Sequence, residues 1–139
     1  MVDMKSGMFT SVTDEWETPQ WLFDEYDQKY HFTLDACASP ENAKCKTYFT
    51  PEQDGLKQEW TGRVWCNPPY GRQIWKWVEK GYKSKADVVV MCLPARTDTR
   101  WFHDYCLKGE VIFLRGRIKF GRATQNAPFP SMIVVFRGN

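Results

Sequence analysis

Several features that would point this chain toward other functions are scarce in it. Histidine occurs only as His31 and His103, and neither stands near a paired cysteine spacing. A zinc site is therefore not expected. The five cysteines, Cys37, Cys45, Cys66, Cys92 and Cys106, are odd in number, contain no Cys-x-x-Cys pair and follow no recognisable signal peptide. Reduced thiols and a cytoplasmic location are the expectation. The longest apolar run, Val88–Leu93, is far below the roughly 18 residues that suggest a membrane span. There is no internal repeat, no low-complexity tract and no linker. At 139 residues there is little room for a second domain. The net charge of +2 is too small to imply a nucleic-acid partner by itself.

The distribution of charge says more. Residues 1–35 carry eight acids against two bases. Residues 57–85 carry Lys57, Arg63, Arg72, Lys76, Lys80, Lys83 and Lys85 against Glu59 and Glu79. Residues 96–122 hold Arg96, Arg100, Lys108, Arg115, Arg117, Lys119 and Arg122 against three acids. These later segments are either a face that meets phosphates or a solvated surface. Aromatic residues make up 16% of the chain, with seven tryptophans. They serve a dense core, and some of them can stack on bases.

Residues 1–13 lack periodicity and read as a flexible arm, which leaves 14–139 as the domain. Thr18-Pro19 reads as a helix start, with Thr18 as cap and Pro19 as first helical residue. Trp21, Leu22, Tyr26 and Tyr30 follow at helical spacing. Phe32–Cys37 reads as a buried strand, and a shorter one is expected near Thr47–Phe49. Asp54-Gly55 is a turn signal. Arg63–Cys66 reads as a strand running into Asn67-Pro68-Pro69-Tyr70-Gly71. The spacing predicts a helix over 73–83, with Ile74, Val78 and Tyr82 on one face. Val88–Leu93 suits a strand covered on both faces, ended by Pro94. A helix over 99–107 is expected next, capped by Asp98 or Thr99. Val111–Leu114 and Met132–Phe136 are further strands with no helix between them, so an antiparallel pair is expected at one end. Strands alternating with helices argue for an α/β domain with a mostly parallel central sheet.

In such sheets ligands bind beyond the carboxyl ends of the strands, where Asn67–Tyr70 falls. The pattern suits chemistry at a planar amine. The lone pair of an exocyclic base amine is delocalised into the ring, so the nitrogen is a poor nucleophile. Two acceptors aimed at the NH2 group pull it toward tetrahedral geometry. The Asn67 side-chain oxygen and the Pro68 carbonyl can supply them. The two prolines fix φ and hold the carbonyls clear of a local helix. Tyr70 can stack on the base. Positioning and charge stabilisation then do the work, with no covalent nucleophile. A base must leave its duplex to enter such a pocket. Read structurally, the same four residues are a turn that ends a strand.

Asn67–Tyr70 resembles the catalytic motif of amino methyltransferases acting on adenine. Asp35-Ala36-Cys37-Ala38-Ser39 resembles their cofactor motif. The wider pattern resembles the phage DNA N6-adenine methyltransferase (Dam) family. It runs through Trp16–Pro19, Leu34–Ser39, Asn42–Lys44, Asp54–Leu56, Trp60, Asn67–Gly71, Leu93–Thr99, Trp101-Phe102, Gly116–Phe120 and Ala127–Ser131. The resemblance implies a Rossmann-like, S-adenosylmethionine-dependent domain. It implies that Thr18 and Pro19 help hold the cofactor's methionine end. Asp35, Ala36 and Ser39 would lie near its amino-acid part, with Asn67 also beside the cofactor. Asp54 falls where related enzymes bind the cofactor's adenine amine, and it is equally an ordinary turn residue. The chain departs from the general methyltransferase pattern in having no glycine cluster after its first strand. It also has no clear acid for the ribose, where Asn42 or Glu41 would substitute.

Arg96, Arg100, Arg115, Arg117 and Lys119 are candidates for DNA backbone contact; each is otherwise a solvated or bracing residue. Phe129 and Pro130 either shape a base pocket or pack the core. No separate target-recognition domain is visible, so an extended loop or a homodimer would have to help read the target. Three alternatives share the motif or the surface: methylation of an RNA base, methylation of a protein glutamine amide, and a non-catalytic DNA-binding domain. If the chain is phage-encoded, the cytoplasm concerned is the host's.

Overall fold

The computed structural model describes residues 16–121 and 126–138, so the expected arm at 1–13 lies outside the described residues. Within them the chain forms helix α1 (Gln20–Tyr30), strand β1 (Leu34–Asp35), strand β2 (Arg63–Cys66), helix α2 (Ile74–Lys83), strand β3 (Val88–Pro94), helix α3 (Arg100–Asp104), strand β4 (Glu110–Phe113) and strand β5 (Ser131–Arg137). Short 3-10 turns occupy Gly55–Lys57 and Cys106–Lys108. The result is one mixed α/β domain.

Its sheet has the order β1-β2-β3-β5-β4. Strands β1, β2 and β3 pair in parallel. Strand β5 runs antiparallel to both β3 and β4. Four strands therefore share one direction and only β5 is reversed, because β4 reaches β5 without an intervening helix. The expected antiparallel pair is present, with β5 inserted between β3 and β4.

The register places α1 and α2 on opposite faces. Trp65 pairs with Val90, and Val90 with Val135. On that face the Trp65 ring meets Phe23 of α1 at 5.5 Å. Cys66 pairs with Met91, and Met91 with Val134. On this second face Gly81 of α2 lies so close to Met91 Sδ and Phe136 that a Cβ would collide. Strand β3 is thus covered on both sides, and all seven of its residues are buried. That burial is why its sequence is continuously apolar rather than alternating.

Several boundaries differ from expectation. Thr18 does not cap α1. Pro19 occupies the cap position, no side chain caps the helix, and the Thr18 hydroxyl is engaged elsewhere. Trp21 is 59% exposed, and α1 buries Leu22 and Phe23 instead. In α2 the buried set is Ile74, Trp77, Val78 and Gly81, whereas Tyr82 is exposed. Strand β1 keeps only two residues of the expected six, and the Thr47–Phe49 strand is a single bridge between Asp35 and Tyr48. Asp35 ends β1, and its side chain accepts from the backbone of the following loop at Cys37 N and Lys44 N. Thr99, not Asp98, caps α3, accepting from Phe102 N at 3.2 Å.

Candidate active site

The carboxyl ends of β1 and β2 open on a cavity of about 420 Å³. This is within the usual range for small-molecule sites. Strand β2 delivers Asn67 and the two prolines to its wall, and β1 delivers Asp35. The segment Trp16–Thr18 forms part of the wall ahead of α1.

Asn67 is 9% exposed. Its side-chain NH2 donates to the Trp16 carbonyl and, at 2.9 Å, to Thr18 Oγ1. The Trp16 carbonyl only accepts, so it must face the nitrogen. The amide orientation is thereby determined. Asn67 Oδ1 is left buried with no hydrogen-bond partner among the described residues. An unpaired buried acceptor costs about 1–3 kcal/mol, so its presence calls for a ligand or a function. Beside it, no described residue donates to the Pro68 carbonyl.

Asp35 is 3% exposed. Its carboxylate accepts from Cys37 N at 3.3 Å and from Lys44 N at 3.0 Å. Burial pushes its pKa up to about 6 against the pull of those two bonds and of the Lys44 charge. An acid that buried, with only backbone donors as hydrogen-bond partners, is suited to a cationic ligand. Ser39 lines the same wall, and Asn42 shapes it by accepting from Ser39 N at 2.8 Å. Glu41 does not line the cavity, and Asn42 does.

Asp54 also lines the cavity, with φ of 58° and Oδ1 accepting from Leu56 N at 3.1 Å. It is thus both a turn residue and a wall residue. The turn is pinned by Gly55, where a Cβ would run into the Ala36 carbonyl and the Trp77 ring. Phe49, Pro51 and Leu56 supply apolar wall next to Asp54.

Of the residues singled out from sequence, Thr18, Asp35, Ser39, Asp54, Asn67, Pro68 and Pro69 converge on this cavity. Pro19, Ala36 and Tyr70 do not line it. Pro19 closes the end of α1, and Ala36 serves through its backbone, N–H to Trp65 O at 2.9 Å. Tyr70 is 3% exposed, its hydroxyl donating to Cys92 O at 2.9 Å. Burial pushes its pKa well up. Its ring packs edge-on with Phe120 at 6.2 Å and Phe129 at 5.7 Å. Buried in this way, the ring offers no face to the cavity. Trp16 joins the same cluster, 5.3 Å from Phe129.

Arg96, Arg100, Arg115, Arg117 and Lys119 are all exposed and stand outside the cavity. Arg96 follows β3, and Arg115, Arg117 and Lys119 follow β4, at the edge that carries Asn67. Sequence reasoning gave no role to Glu17, Phe49, Thr50, Pro51 or Trp77 as wall residues. Glu17 sits between the two residues that hold Asn67, and its place in the Trp16–Pro19 segment was the signal for it. For the others, contact with the site arises from folding alone.

The model of the family described as DNA N-6-adenine-methyltransferase (Dam) matches residues 5–138. The chain is 35% identical over 146 residues to the DNA N-6-adenine-methyltransferase of Haemophilus phage HP1 (strain HP1c1), covering 95% of this chain and 83% of that one. It is 35% identical over 98 residues to the DNA N-6-adenine-methyltransferase of Escherichia phage T1, covering 66% of this chain and 40% of that one.

Proposed function

The chain belongs to the DNA N-6-adenine-methyltransferase (Dam) family, and on that premise we propose that it transfers a methyl group from S-adenosylmethionine to N6 of adenine in DNA. The observation that carries this reading is the orphaned Asn67 Oδ1, buried at the wall of a ligand-sized cavity.

The donor set fits the cofactor. Asp35 would take the ammonium of the amino-acid part, and Asp54 the adenine amine between Phe49 and Leu56. Asn42 is the ribose candidate, since its oxygen is used by Ser39 N while its NH2 remains to donate. When bound, the cofactor supplies an electrophilic methyl on a sulfonium. The fold that carries it is Rossmann-like in that the cavity lies beyond the carboxyl ends of parallel strands.

Asn67 Oδ1 and the Pro68 carbonyl accept the two hydrogens of the adenine amine and localise its lone pair. Trp16 and Thr18 prevent the Asn67 amide from turning its NH2 toward the substrate. No reorganisation is then needed as charge develops on the nitrogen. Neither the amide nor the carbonyl is basic enough to keep the proton released from N6, so it leaves to water. Arg96, Arg100, Arg115, Arg117 and Lys119 hold the phosphates of a duplex from which the base has been flipped.

Incubation with methyl-labelled S-adenosylmethionine and DNA, RNA or protein tests the proposal. Label is expected in N6-methyladenine of DNA. Asn67→Ala is expected to lose methylation while binding the cofactor within a few-fold of the parent. Label in RNA but not in DNA, or full turnover by Asn67→Ala, refutes it.

A further inference from the structure

On the face of the sheet that α2 covers, an open groove of about 600 Å³ runs between that helix and segment 56–60. Leu56 is the only described residue that lines both this groove and the cavity beside Asn67. Lys76, Lys80, Lys83 and Lys85 line the groove, against Glu59 and Glu79. Glu79 is already engaged, by Lys83 at 3.2 Å and by the Tyr105 hydroxyl at 2.7 Å. The other three lysines form no ion pair among the described residues. Two of them rest on tryptophan. The Lys80 ammonium lies 5.5 Å from the centre of the Trp60 ring, and that of Lys76 lies 5.8 Å from the centre of the Trp75 ring. Trp75 is itself 43% exposed. A lysine held in this way packs its stem on apolar surface and keeps its charge.

The groove starts near the catalytic edge. Helix α2 connects the parallel strands β2 and β3, so it begins beyond the carboxyl end of β2, just after Asn67–Tyr70, and runs back along the sheet. Lys76, Lys80 and Lys83 follow one another on it at spacings of four and three residues, which places them on one side of the helix. The opposite face of the sheet has the contrary sign: α1 carries Asp24, Glu25 and Asp27 against Lys29. A polyanion is therefore drawn to the α2 face and repelled from the α1 face. We propose that the α2 groove is a second DNA site, which holds the phosphate backbone of the duplex flanking the target base. The ten residues of α2 span about 15 Å, and a duplex rises about 3.4 Å per base pair, so the helix covers roughly four base pairs. Contacts of this kind read no sequence; they fix where the duplex lies. The proposal rests on the reading of the chain as a DNA methyltransferase and deepens it with a grip on DNA away from the reacting base.

Two measurements on the whole chain test it. In the first, lysines are acetylated with and without a DNA duplex and the products are read by mass spectrometry. Lys76, Lys80 and Lys85 are expected to lose reactivity several-fold when the duplex is present. Lys29, which rests on the Tyr30 ring at 5.2 Å on the acidic face, is expected to keep its own. In the second, the same duplex is titrated over a salt series with Lys76→Gln, Lys85→Gln and the double variant. Each substitution is expected to weaken binding several-fold at low salt and to lower the logarithmic salt slope by about 0.9, and the double variant by about twice that. Both side chains are exposed, so Tm and S-adenosylmethionine binding are expected to match the parent. An unchanged slope in the double variant, or full reactivity of these lysines in the bound complex, overturns the second site. So does a smaller assembly in sedimentation of the double variant with DNA binding intact, since the groove would then hold the acidic helix of another copy. In each of these cases a lower slope in Arg115→Ala or Arg117→Ala leaves the methyltransferase reading standing. Failure of the parent to bind DNA at all overturns that reading, and the second site with it.

Discussion

Asp35→Asn separates what the buried acid costs from what it does. In the ligand-free protein its pKa is raised from 3.8 to about 6 by burial. A shift of about two units corresponds to about 3 kcal/mol at most. The sign follows from linkage. A folded-state pKa above the unfolded one means that the folded state binds the proton more tightly. The benefit is fully present below about pH 4 and is lost as pH rises through about 6. At pH 8 the ionised Asp35 is therefore a burden on the empty protein. Asparagine removes the charge and keeps one acceptor for either Lys44 N or Cys37 N. It turns the other oxygen into an NH2 that faces a backbone donor, which forfeits roughly 1 kcal/mol. The variant is expected to be more stable than the parent at pH 8 by about 2 kcal/mol, or several degrees in Tm for a chain of this size. The gain is expected to vanish near pH 4. Cofactor affinity is expected to fall sharply in the variant. In the parent it is expected to weaken about tenfold per pH unit below 6, because the ligand's ammonium needs the carboxylate. Thermal melts across pH 4–8 and calorimetric titration measure both effects. A variant less stable than the parent at pH 8 would refute the premise that burial of the Asp35 charge outweighs its two backbone hydrogen bonds.

Three further outcomes are expected. Thr18→Val removes one of the two acceptors holding the Asn67 amide; Tm is expected to fall by a few degrees, in line with about 0.5–1.5 kcal/mol for a buried hydrogen bond, and kcat by up to roughly tenfold with cofactor Kd little changed, and an unchanged kcat would show that Trp16 suffices. Gly55→Ala drives a Cβ into the Ala36 carbonyl and the Trp77 ring; a loss of about 1–3 kcal/mol is expected from overpacking, read by denaturant melts, and a neutral result would mean that the Asp54 turn is not pinned there. Arg115→Ala, Arg117→Ala and Lys119→Ala are each expected to weaken DNA binding and flatten its dependence on salt by about 0.9 in the logarithmic slope for each phosphate no longer neutralised. Filter binding over a salt series checks this, and unaltered slopes would remove these residues from the interface.

Much of the frame was legible because burial and period are local properties. Val88–Leu93 could hardly be anything but a doubly covered strand, and Arg63–Cys66 runs into two successive prolines, which cannot donate to a strand ladder. Asp54-Gly55 announced a turn for the same local reason. Boundaries went wrong where a side chain had a distant partner. Thr18 has the composition of a helix cap, yet its hydroxyl goes to Asn67, 49 positions away. Trp21 follows the helical spacing but lies outside the buried stripe, since Phe23 reaches Trp65 first. Tyr70 carries the right ring for stacking, but the Cys92 carbonyl and two phenylalanines hold it inside.

Asn67 marks the division. The sequence alone determined its identity, its place at the end of a strand, the two prolines behind it and the resemblance that suggested its chemistry. Those depend on neighbours along the chain. Only the tertiary structure decided which end of its amide faces the cavity, because that choice is made by the Trp16 carbonyl and Thr18 hydroxyl. The same holds for the acidic lining of the pocket, which exists only once Glu17, Asp35 and Asp54 are folded around one space.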